Sequence, residues 1–101
     1  MSVFYKWLNA IGLAFLLMTG AMAFADEAVP DKVHYCVACH GALGVSEYGI
    51  WPNIAGQKQL YLANQLKDFR DGKRNNPWMS PIAWPLSDKE IEELAEFFSR
   101  L

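Results

Sequence analysis

The sequence CVACH, residues 36–40, decides how the rest of the chain is interpreted. Two cysteines stand three positions apart, and a histidine follows directly after the second. Three kinds of site use cysteine and histidine in such a pattern: a redox-active dithiol, half of a structural zinc site, and a place where haem is bonded to the chain. Each of these makes different demands on the surrounding sequence.

Residues 1–25 have the layout of a secretory signal peptide. A single lysine precedes an apolar run that begins at Leu8. Ala23 and Ala25 then form an A-x-A pattern, and charged residues follow at once. We therefore predict cleavage after Ala25 and export to the periplasm. The alternative is an uncleaved membrane anchor, because the apolar run is close to the roughly 20 residues that a bilayer span requires.

The remaining segment, residues 26–101, has the size of one small domain. Domains of this size have marginal hydrophobic cores and usually need a disulfide, a metal or a cofactor. The chain holds only two cysteines, and a disulfide between them would close too short a loop to stabilise much. A cofactor is expected for this reason. The chain has more acidic than basic residues, 11 against 9, which argues against a nucleic-acid-binding protein.

The apolar pattern predicts three helices and no strands. The first runs from about residue 31 into CVACH, and the second covers about residues 58–70. The third begins at Ser87, where Glu90 three positions later completes a capping box. Helical spacing places two groups of apolar residues on one face each: Leu62, Leu66 and Phe69, then Ile91, Leu94, Ala95 and Phe98.

Two long loops, residues 41–57 and 72–86, separate these helices and are rich in glycine and proline. Loops of this length are uncommon in a small domain unless something orders them. They also contain tryptophans, which are costly to expose. Loops that wrap an apolar cofactor would account for both features. The expected fold is therefore an all-α domain with three main helices and long loops around a cofactor.

A redox dithiol requires its first cysteine at a helix N-terminus, usually beside a sheet. The sequence pattern predicts no sheet, and it places CVACH toward the C-terminal end of its predicted helix. A zinc site requires four converging ligands. Beyond residue 25 the only cysteines and histidines are His34, Cys36, Cys39 and His40. On one helix these four spread over more than half of the circumference, so they cannot converge on one ion.

C-x-x-C-H is the attachment signature of c-type haem. The two thiols add to the vinyl groups of the porphyrin as thioethers, and the next histidine lies under the iron. Haem is attached in this way outside the bacterial cytoplasm, which agrees with the predicted export. The motif thus predicts one covalent haem c, with Cys36 and Cys39 bonded to it and His40 on the iron.

The second iron ligand is predicted to be Met79, the one methionine that follows residue 25. Methionine opposite histidine is common in haem electron carriers, and the prolines around Met79 would hold a loop rigid. His34 is the competing ligand, but one helix cannot reach both faces of a flat macrocycle. A ligating histidine also needs a hydrogen-bond acceptor for the N–H of its other ring nitrogen. We expect the Pro52 carbonyl to be that acceptor.

Together these residues resemble the class I cytochromes c, especially small bacterial single-haem members and the halves of two-haem periplasmic ones. The matching stretches are CVACHG, WPNIAGQ, YLANQLKDFRDGKRNN, PWMSPIAWPLSD and EIEELAEFF. The resemblance implies a compact helical fold in which the first and last helices cross near their ends. It also implies pocket or loop-bracing roles for Tyr61, Arg70 and Asn76. Trp51, Trp78 and Trp84 are expected in the pocket wall.

The function that follows is one-electron transfer between redox proteins, among them a membrane oxidase or reductase, with no small-molecule substrate. A basic cluster at Lys58, Lys67, Arg70, Lys73 and Arg74 could steer an acidic partner. Two alternatives stay open. One is a relay subunit held in a membrane complex, and the other is a haem enzyme or ligand-binding protein in which the methionine leaves the iron.

Overall fold

The computed structural model describes residue 20 and residues 28–101, and the regular secondary structure in that part of the chain is entirely helical. The predicted all-α class is confirmed. The helices are α1 (Val33–His40), α2 (Gln59–Asp71), α3 (Met79–Ala83) and α4 (Asp88–Ser99).

The predicted signal peptide, residues 1–25, lies outside the described residues apart from residue 20. Its cleavage therefore stays a prediction. Among the described residues, none of the helices has both the length and the hydropathy that a bilayer span requires.

Helix α1 carries the CVACH motif at its C-terminal end, as predicted. A turn leads into it, in which the Val33 amide donates to the Pro30 carbonyl at 3.0 Å. The helix ends where Gly41 takes a positive φ of 89°. The Gly41 amide still donates to the Val37 carbonyl at 3.0 Å. The last helical residue, His40, is thereby fixed directly before the chain turns away.

Helices α2 and α4 pack against each other and form the frame of the domain. The predicted face of α4 is confirmed, because its four apolar residues are all buried. On α2 only Ala63 and Phe69 are buried. Leu62 and Leu66 are half-buried and face a large cavity. The apolar face of α2 is therefore divided between the core and the wall of that cavity.

The capping box at the start of α4 is present in the structure. The Ser87 hydroxyl accepts a hydrogen bond from the Glu90 amide at 3.1 Å. Removal of such an acceptor leaves a first-turn amide without its partner. Ser87→Ala is therefore expected to lower the free energy of unfolding by about 1 kcal/mol. Chemical denaturation of the purified protein measures this, and a loss below the error of the midpoint would contradict the capping role.

Helix α3 is a correction to the predicted loop over residues 72–86. Asn76 initiates this helix, since its Oδ1 accepts from the Trp78 amide at 2.9 Å and from the Met79 amide at 3.0 Å. Pro81 lies in the first turn, where a missing amide hydrogen removes no intrahelical bond. Five residues between prolines are too few to show a helical period, so the sequence pattern gave no sign of this helix.

The described core is small and borders the cavity. Its buried hydrophobic side chains are Ala63, Phe69, Ala83, Leu86, Ile91, Leu94, Ala95 and Phe98. Five of these also line the cavity: Phe69, Leu86, Leu94, Ala95 and Phe98. The packing that holds the helices together and the wall of the cavity are therefore largely the same side chains.

Candidate functional site

A cavity of about 770 Å³ lies among the four helices and the loop after α1. Its size falls within the range of about 300–1,000 Å³ that is usual for ligand and cofactor pockets. Most of its wall is aliphatic or aromatic. The predicted site residues that line it are Cys36, Cys39, His40, Pro52, Tyr61, Asn76 and Met79.

Three of these residues come from the end of helix α1. Cys36, Cys39 and His40 stand at i, i+3 and i+4, so helical geometry places them on one face. Both cysteines are half-buried and free rather than joined in a disulfide. The helix therefore presents two thiols and one imidazole to the same apolar cavity.

Among the polar and charged residues that the structure describes, His40 is the one that is buried, with 8% of its surface exposed. Its Nδ1 lies 2.7 Å from the Pro52 carbonyl oxygen. A carbonyl can only accept, so Nδ1 carries the hydrogen and Nε2 keeps a free lone pair. An imidazole held in this tautomer and orientation is prepared to ligate a metal through Nε2.

The loop that supplies the Pro52 carbonyl is closed on itself. The Gly44 carbonyl accepts from the Ile54 amide at 2.8 Å and from the Ala55 amide at 3.0 Å. A further hydrogen bond from the Gly56 amide to the Phe98 carbonyl, at 2.9 Å, ties the end of this loop to α4. The side chain of Asn53, next to Pro52, also accepts from the Ser46 amide at 2.7 Å. Backbone contacts and this side-chain contact together fix the acceptor for His40.

Gly41 is the residue on which this geometry depends most directly. Its φ of 89° and ψ of 153° lie in a region that only glycine adopts readily. A Cβ there would also collide with the Val45 carbonyl oxygen.

Gly41→Ala is therefore expected to destabilise the fold by at least about 1–3 kcal/mol from backbone strain alone. Thermal unfolding of the variant measures the loss. Gly49→Ala is the matched control, because Gly49 has no positive φ and a Cβ there meets nothing. Equal stability of the two variants would contradict the role assigned to Gly41.

Met79 is the first residue of α3 and is half-buried against the core. The Asn76 side chain holds its amide, and the Asn76 amide donates to the Ser80 hydroxyl at 2.9 Å. The thioether thus reaches the cavity from a different element than His40 does. Asn76, one of the predicted site residues, serves here to brace the segment that carries Met79.

Arg70 is not among the residues that line the cavity, although we expected it in the pocket or as a loop brace. Its guanidinium donates to the Leu86 carbonyl at 3.2 Å and to the Asp88 carboxylate at 2.7 Å. It also pairs with Asp71 at 2.9 Å, and its hydrogen bond to that carboxylate lowers the pKa of Asp71. The contacts with Leu86, between α3 and α4, and with Asp88, the first residue of α4, tie α2 to this part of the chain, so Arg70 acts as a brace.

The three tryptophans expected in the pocket wall also differ in whether they line the cavity. Trp51 and Trp78 line the cavity, whereas Trp84 is 77% exposed and does not. The cause is the position of Trp84 at the end of α3, directly after the buried Ala83. The indole Nε1 of Trp51 is buried without a hydrogen-bond partner.

The two alternative uses of CVACH meet obstacles in the structure. Burial raises the pKa of the Cys36 thiol to about 11, whereas a redox-active cysteine needs a lowered pKa. His34 is exposed and bonds the Asp31 carbonyl at 2.9 Å, away from the cavity. Within residues 28–101 no three potential ligands gather at a point that could hold a metal ion by themselves.

Arg74 is a cavity residue that the sequence reasoning placed only in the basic cluster. It lies beyond Gly72, whose φ of 80° ends α2 in a left-handed turn. The direction of the chain after Gly72 decides which of the two arginines, Arg70 or Arg74, reaches the cavity. The sequence pattern does not show this direction, so it gave no reason to expect Arg74 there.

The residues present fit a covalently attached haem. An apolar cavity of this size suits a macrocycle, and thiols and an imidazole share one side of it. A thioether sulfur on a separate helix supplies a further soft ligand. The buried Trp51 N–H is a donor that a bound polar group can satisfy.

Comparison with known proteins points the same way. A family model described as cytochrome c matches residues 19–101. Cytochrome c-554(548) of Halomonas halodenitrificans is 43% identical over 72 residues, which is 68% of this chain and 87% of that protein. Cytochrome c4 of Thiocapsa roseopersicina is 45% identical over 75 residues, which is 74% of this chain and 38% of that protein.

A protein named thiosulfate dehydrogenase electron acceptor, from Thiomonas intermedia, is 44% identical over 75 residues, covering 73% of this chain and 35% of that protein. The solved structure of reduced cytochrome c4 from Pseudomonas stutzeri superposes with a TM-score of 0.62 at 38% identity, covering 65% of this chain and 37% of that one. This chain therefore spans well under half of the solved cytochrome c4, of the Thiocapsa cytochrome c4 and of the electron-acceptor protein. This agrees with the expected similarity to half of a two-haem cytochrome.

Proposed function

Because this chain belongs to the cytochrome c family, we propose that it is a one-electron carrier in which residues 26–101 form a single domain with one haem. Membership of the family implies a covalently bound haem c with its iron. The names of the relatives, cytochromes and electron acceptors, support a carrier rather than an enzyme.

The residues take separate roles in this proposal. Cys36 and Cys39 hold the haem through thioethers, and His40 and Met79 ligate the iron. The haem supplies a reversible one-electron couple, whose potential depends on the ligands and on the polarity around it. The chain supplies the positions of these groups and a largely apolar wall that excludes water.

Rigid positioning is what the protein adds to the cofactor. The Pro52 carbonyl fixes the tautomer and the plane of His40, and the Asn76 side chain holds the amide of Met79 at the start of its helix. Both ligands can then stay in place while the charge of the iron changes, which keeps the reorganisation that accompanies electron transfer small.

The observation that carries the proposal is the convergence of the CVACH face and Met79 on one apolar cavity. Optical spectroscopy of periplasmic and membrane fractions tests it, with a check for haem that remains bound after denaturation. We expect covalent haem with a sharp reduced α band and the weak far-red band of methionine-ligated ferric iron. Absence of covalent haem would overturn the proposal, and covalent haem without the far-red band would favour the open-iron alternative.

The same fractions test where the protein acts. We propose export through residues 1–25 and a periplasmic location. Holoprotein in the soluble periplasmic fraction is the expected result. Holoprotein that stays with the membrane would instead favour an uncleaved anchor or a relay subunit of a membrane complex.

The proposed partners are redox proteins that dock briefly near the haem edge. One relative is named for accepting electrons from a thiosulfate dehydrogenase, so an enzyme of that kind is a candidate donor. The predicted basic cluster is partly neutralised, since Lys67 pairs with Glu92 at 2.8 Å and Arg70 with Asp71 and Asp88. The cluster therefore contributes less steering of an acidic partner than the sequence alone indicated.

A further inference from the structure

Helix α1 and the loop after it form a part of the surface that is almost without charge. Among Asp, Glu, Lys and Arg, residues 33–57 contain only Glu47, whereas residues 58–101 contain most of the charged side chains of the chain. Five large apolar side chains of the first segment are exposed, and we call them the apolar face: Tyr35, Leu43, Val45, Tyr48 and Ile50. Exposed apolar residues in an uncharged part of a surface are typical of an interaction site.

The apolar face adjoins the cavity but is only partly covered by what the cavity holds. Tyr35 and Ile50 are exposed and line the cavity, so they lie at its mouth. Leu43, Val45 and Tyr48 do not line it, and their exposed fractions are 71%, 56% and 60%. A cofactor bound in the cavity therefore leaves these three side chains in water. Their removal from water, which is favourable, needs a partner other than the haem.

The loop that carries most of the apolar face is held in one conformation. The Ser46 amide donates to Asn53 Oδ1 at 2.7 Å, and the Ser46 hydroxyl donates to the Tyr48 carbonyl at 2.9 Å. The Tyr48 ring meets the Trp51 ring edge-on, with 5.4 Å between the centroids. A surface that is ordered before binding loses little conformational entropy when a partner docks. The loop is thus suited to form a stable contact.

The charges near the apolar face indicate which partner it fits. In a twofold dimer the same surface patch meets its own copy, so a patch with charges of one sign would repel itself. The apolar face has no charged member. Two exposed charged residues lie close to the cavity mouth along the chain: Glu47 is three residues before Ile50, and Lys58 is three before Tyr61. Their signs are opposite, and neither forms an ion pair within the described part of the chain.

The apolar face also has the size that a dimer needs. An exposed large side chain presents on the order of 100 Å², since an aromatic residue buries about 150–250 Å² when it is fully covered. Five such side chains supply more than half of the roughly 800 Å² that each partner buries in a standard interface. Tyr61 and Trp78, which are exposed at the cavity mouth, extend the apolar surface further.

We propose that the apolar face is the contact surface of a twofold dimer of this chain, in which Glu47 of each copy pairs with Lys58 of the other copy. Because the face adjoins the cavity mouth, the dimer brings the two cavities to the same interface. Two redox centres then lie close together in one assembly. This last consequence rests on the proposed function, whereas the dimer itself does not.

Sedimentation equilibrium of the purified holoprotein tests the dimer. We expect a dissociation constant no weaker than about 10 µM, since interfaces of standard size bind at micromolar affinity or tighter. Val45→Glu is expected to weaken association about tenfold or more, because a carboxylate at the interface would lose its water without gaining a partner. Leu43→Glu replaces it if that variant does not accumulate, and the same effect is expected.

Val29→Glu is the matched control for Val45→Glu. Val29 is 59% exposed, which is close to the exposure of Val45. It lies in a separate groove with Lys89 and Glu93 and does not line the cavity. We expect the same dissociation constant as in the parent protein. Equal constants for the two valine variants would overturn the assignment of the apolar face.

Charge reversal tests the pairing of the two copies. Glu47→Lys and Lys58→Glu should each weaken association about fivefold, because each places like charges together at two symmetric positions of the dimer. The double variant Glu47→Lys/Lys58→Glu restores opposite charges, so we expect it to associate as the parent protein does. A double variant that is as weak as the single ones would contradict this twofold arrangement.

The state of the parent protein decides between the dimer and other uses of the apolar face. A holoprotein that stays monomeric at about ten times the expected dissociation constant would overturn the dimer. A monomer that sediments with vesicles of phosphatidylethanolamine and phosphatidylglycerol would also overturn it and assign the face to a lipid surface. Covalent haem measured in the same samples keeps the two proposals apart. A monomer with haem contradicts only the dimer, and a dimer without haem contradicts only the proposed function.

Discussion

Replacement of His40 by alanine is expected to abolish the six-coordinate holoprotein. The imidazole is buried and lines the cavity, and its Nδ1 is held by the Pro52 carbonyl. Alanine removes the proposed iron ligand and leaves that carbonyl without its donor. The optical spectrum of the purified variant, read together with the amount of covalently bound haem, measures the loss.

His34→Ala is the matched control for this experiment. His34 lies on the same helix, but it is exposed and does not line the cavity. We expect its spectrum and yield of haem to equal those of the parent protein. A normal six-coordinate spectrum for His40→Ala, or a loss of the spectrum in His34→Ala, would show that the ligand is assigned to the wrong histidine.

Replacement of Met79 by alanine is expected to lower the reduction potential and to open the iron to external ligands. Methionine ligation raises the potential. Its loss should cost on the order of 0.1 V, a fraction of the roughly 0.8 V over which axial ligands move haem potentials. Potentiometric titration measures the fall, and binding of carbon monoxide or cyanide measures the access to the iron.

Met79 also packs against the core, so the loss of a ligand must be separated from the loss of packing. Met79→Leu makes this separation, because leucine fills a similar volume without a sulfur atom. We expect Met79→Leu to bind external ligands as readily as Met79→Ala does, while its unfolding midpoint falls less. Ligand binding that stays at the parent level in both variants would mean that Met79 is a packing residue only.

The parts of the fold that the sequence predicted are those in which local pattern and tertiary structure agree. The α4 helix has a capping serine and four apolar residues at helical spacing, and the structure contains both features. The CVACH motif likewise brings its cysteines and histidine to one helix face by spacing alone. Helix α3 was missed because its initiation depends on the Asn76 side chain, and such a contact has no periodic signature.

The candidate site was predictable to the extent that its residues belong to a motif. Arg70 and Arg74 are the same residue type four positions apart, and only the turn at Gly72 decides that Arg74 faces the cavity and Arg70 faces Asp88. Trp78 and Trp84 differ in the same way through the register of α3. Which residue of such a pair faces the cavity depends on the direction that the chain takes in the folded protein. Local sequence patterns do not show that direction, because it is set by the whole fold.

Several side chains belong both to the core and to the cavity wall. The stability of the fold and the reduction potential are therefore hard to vary independently. Leu94 and Phe98, for example, hold α4 in place and also contact the cavity. A smaller residue at either position would loosen the packing and admit water beside the cofactor at the same time. In a set of relatives or engineered variants, changes in thermal tolerance and changes in reduction potential should therefore appear together. Selection for one would constrain the other.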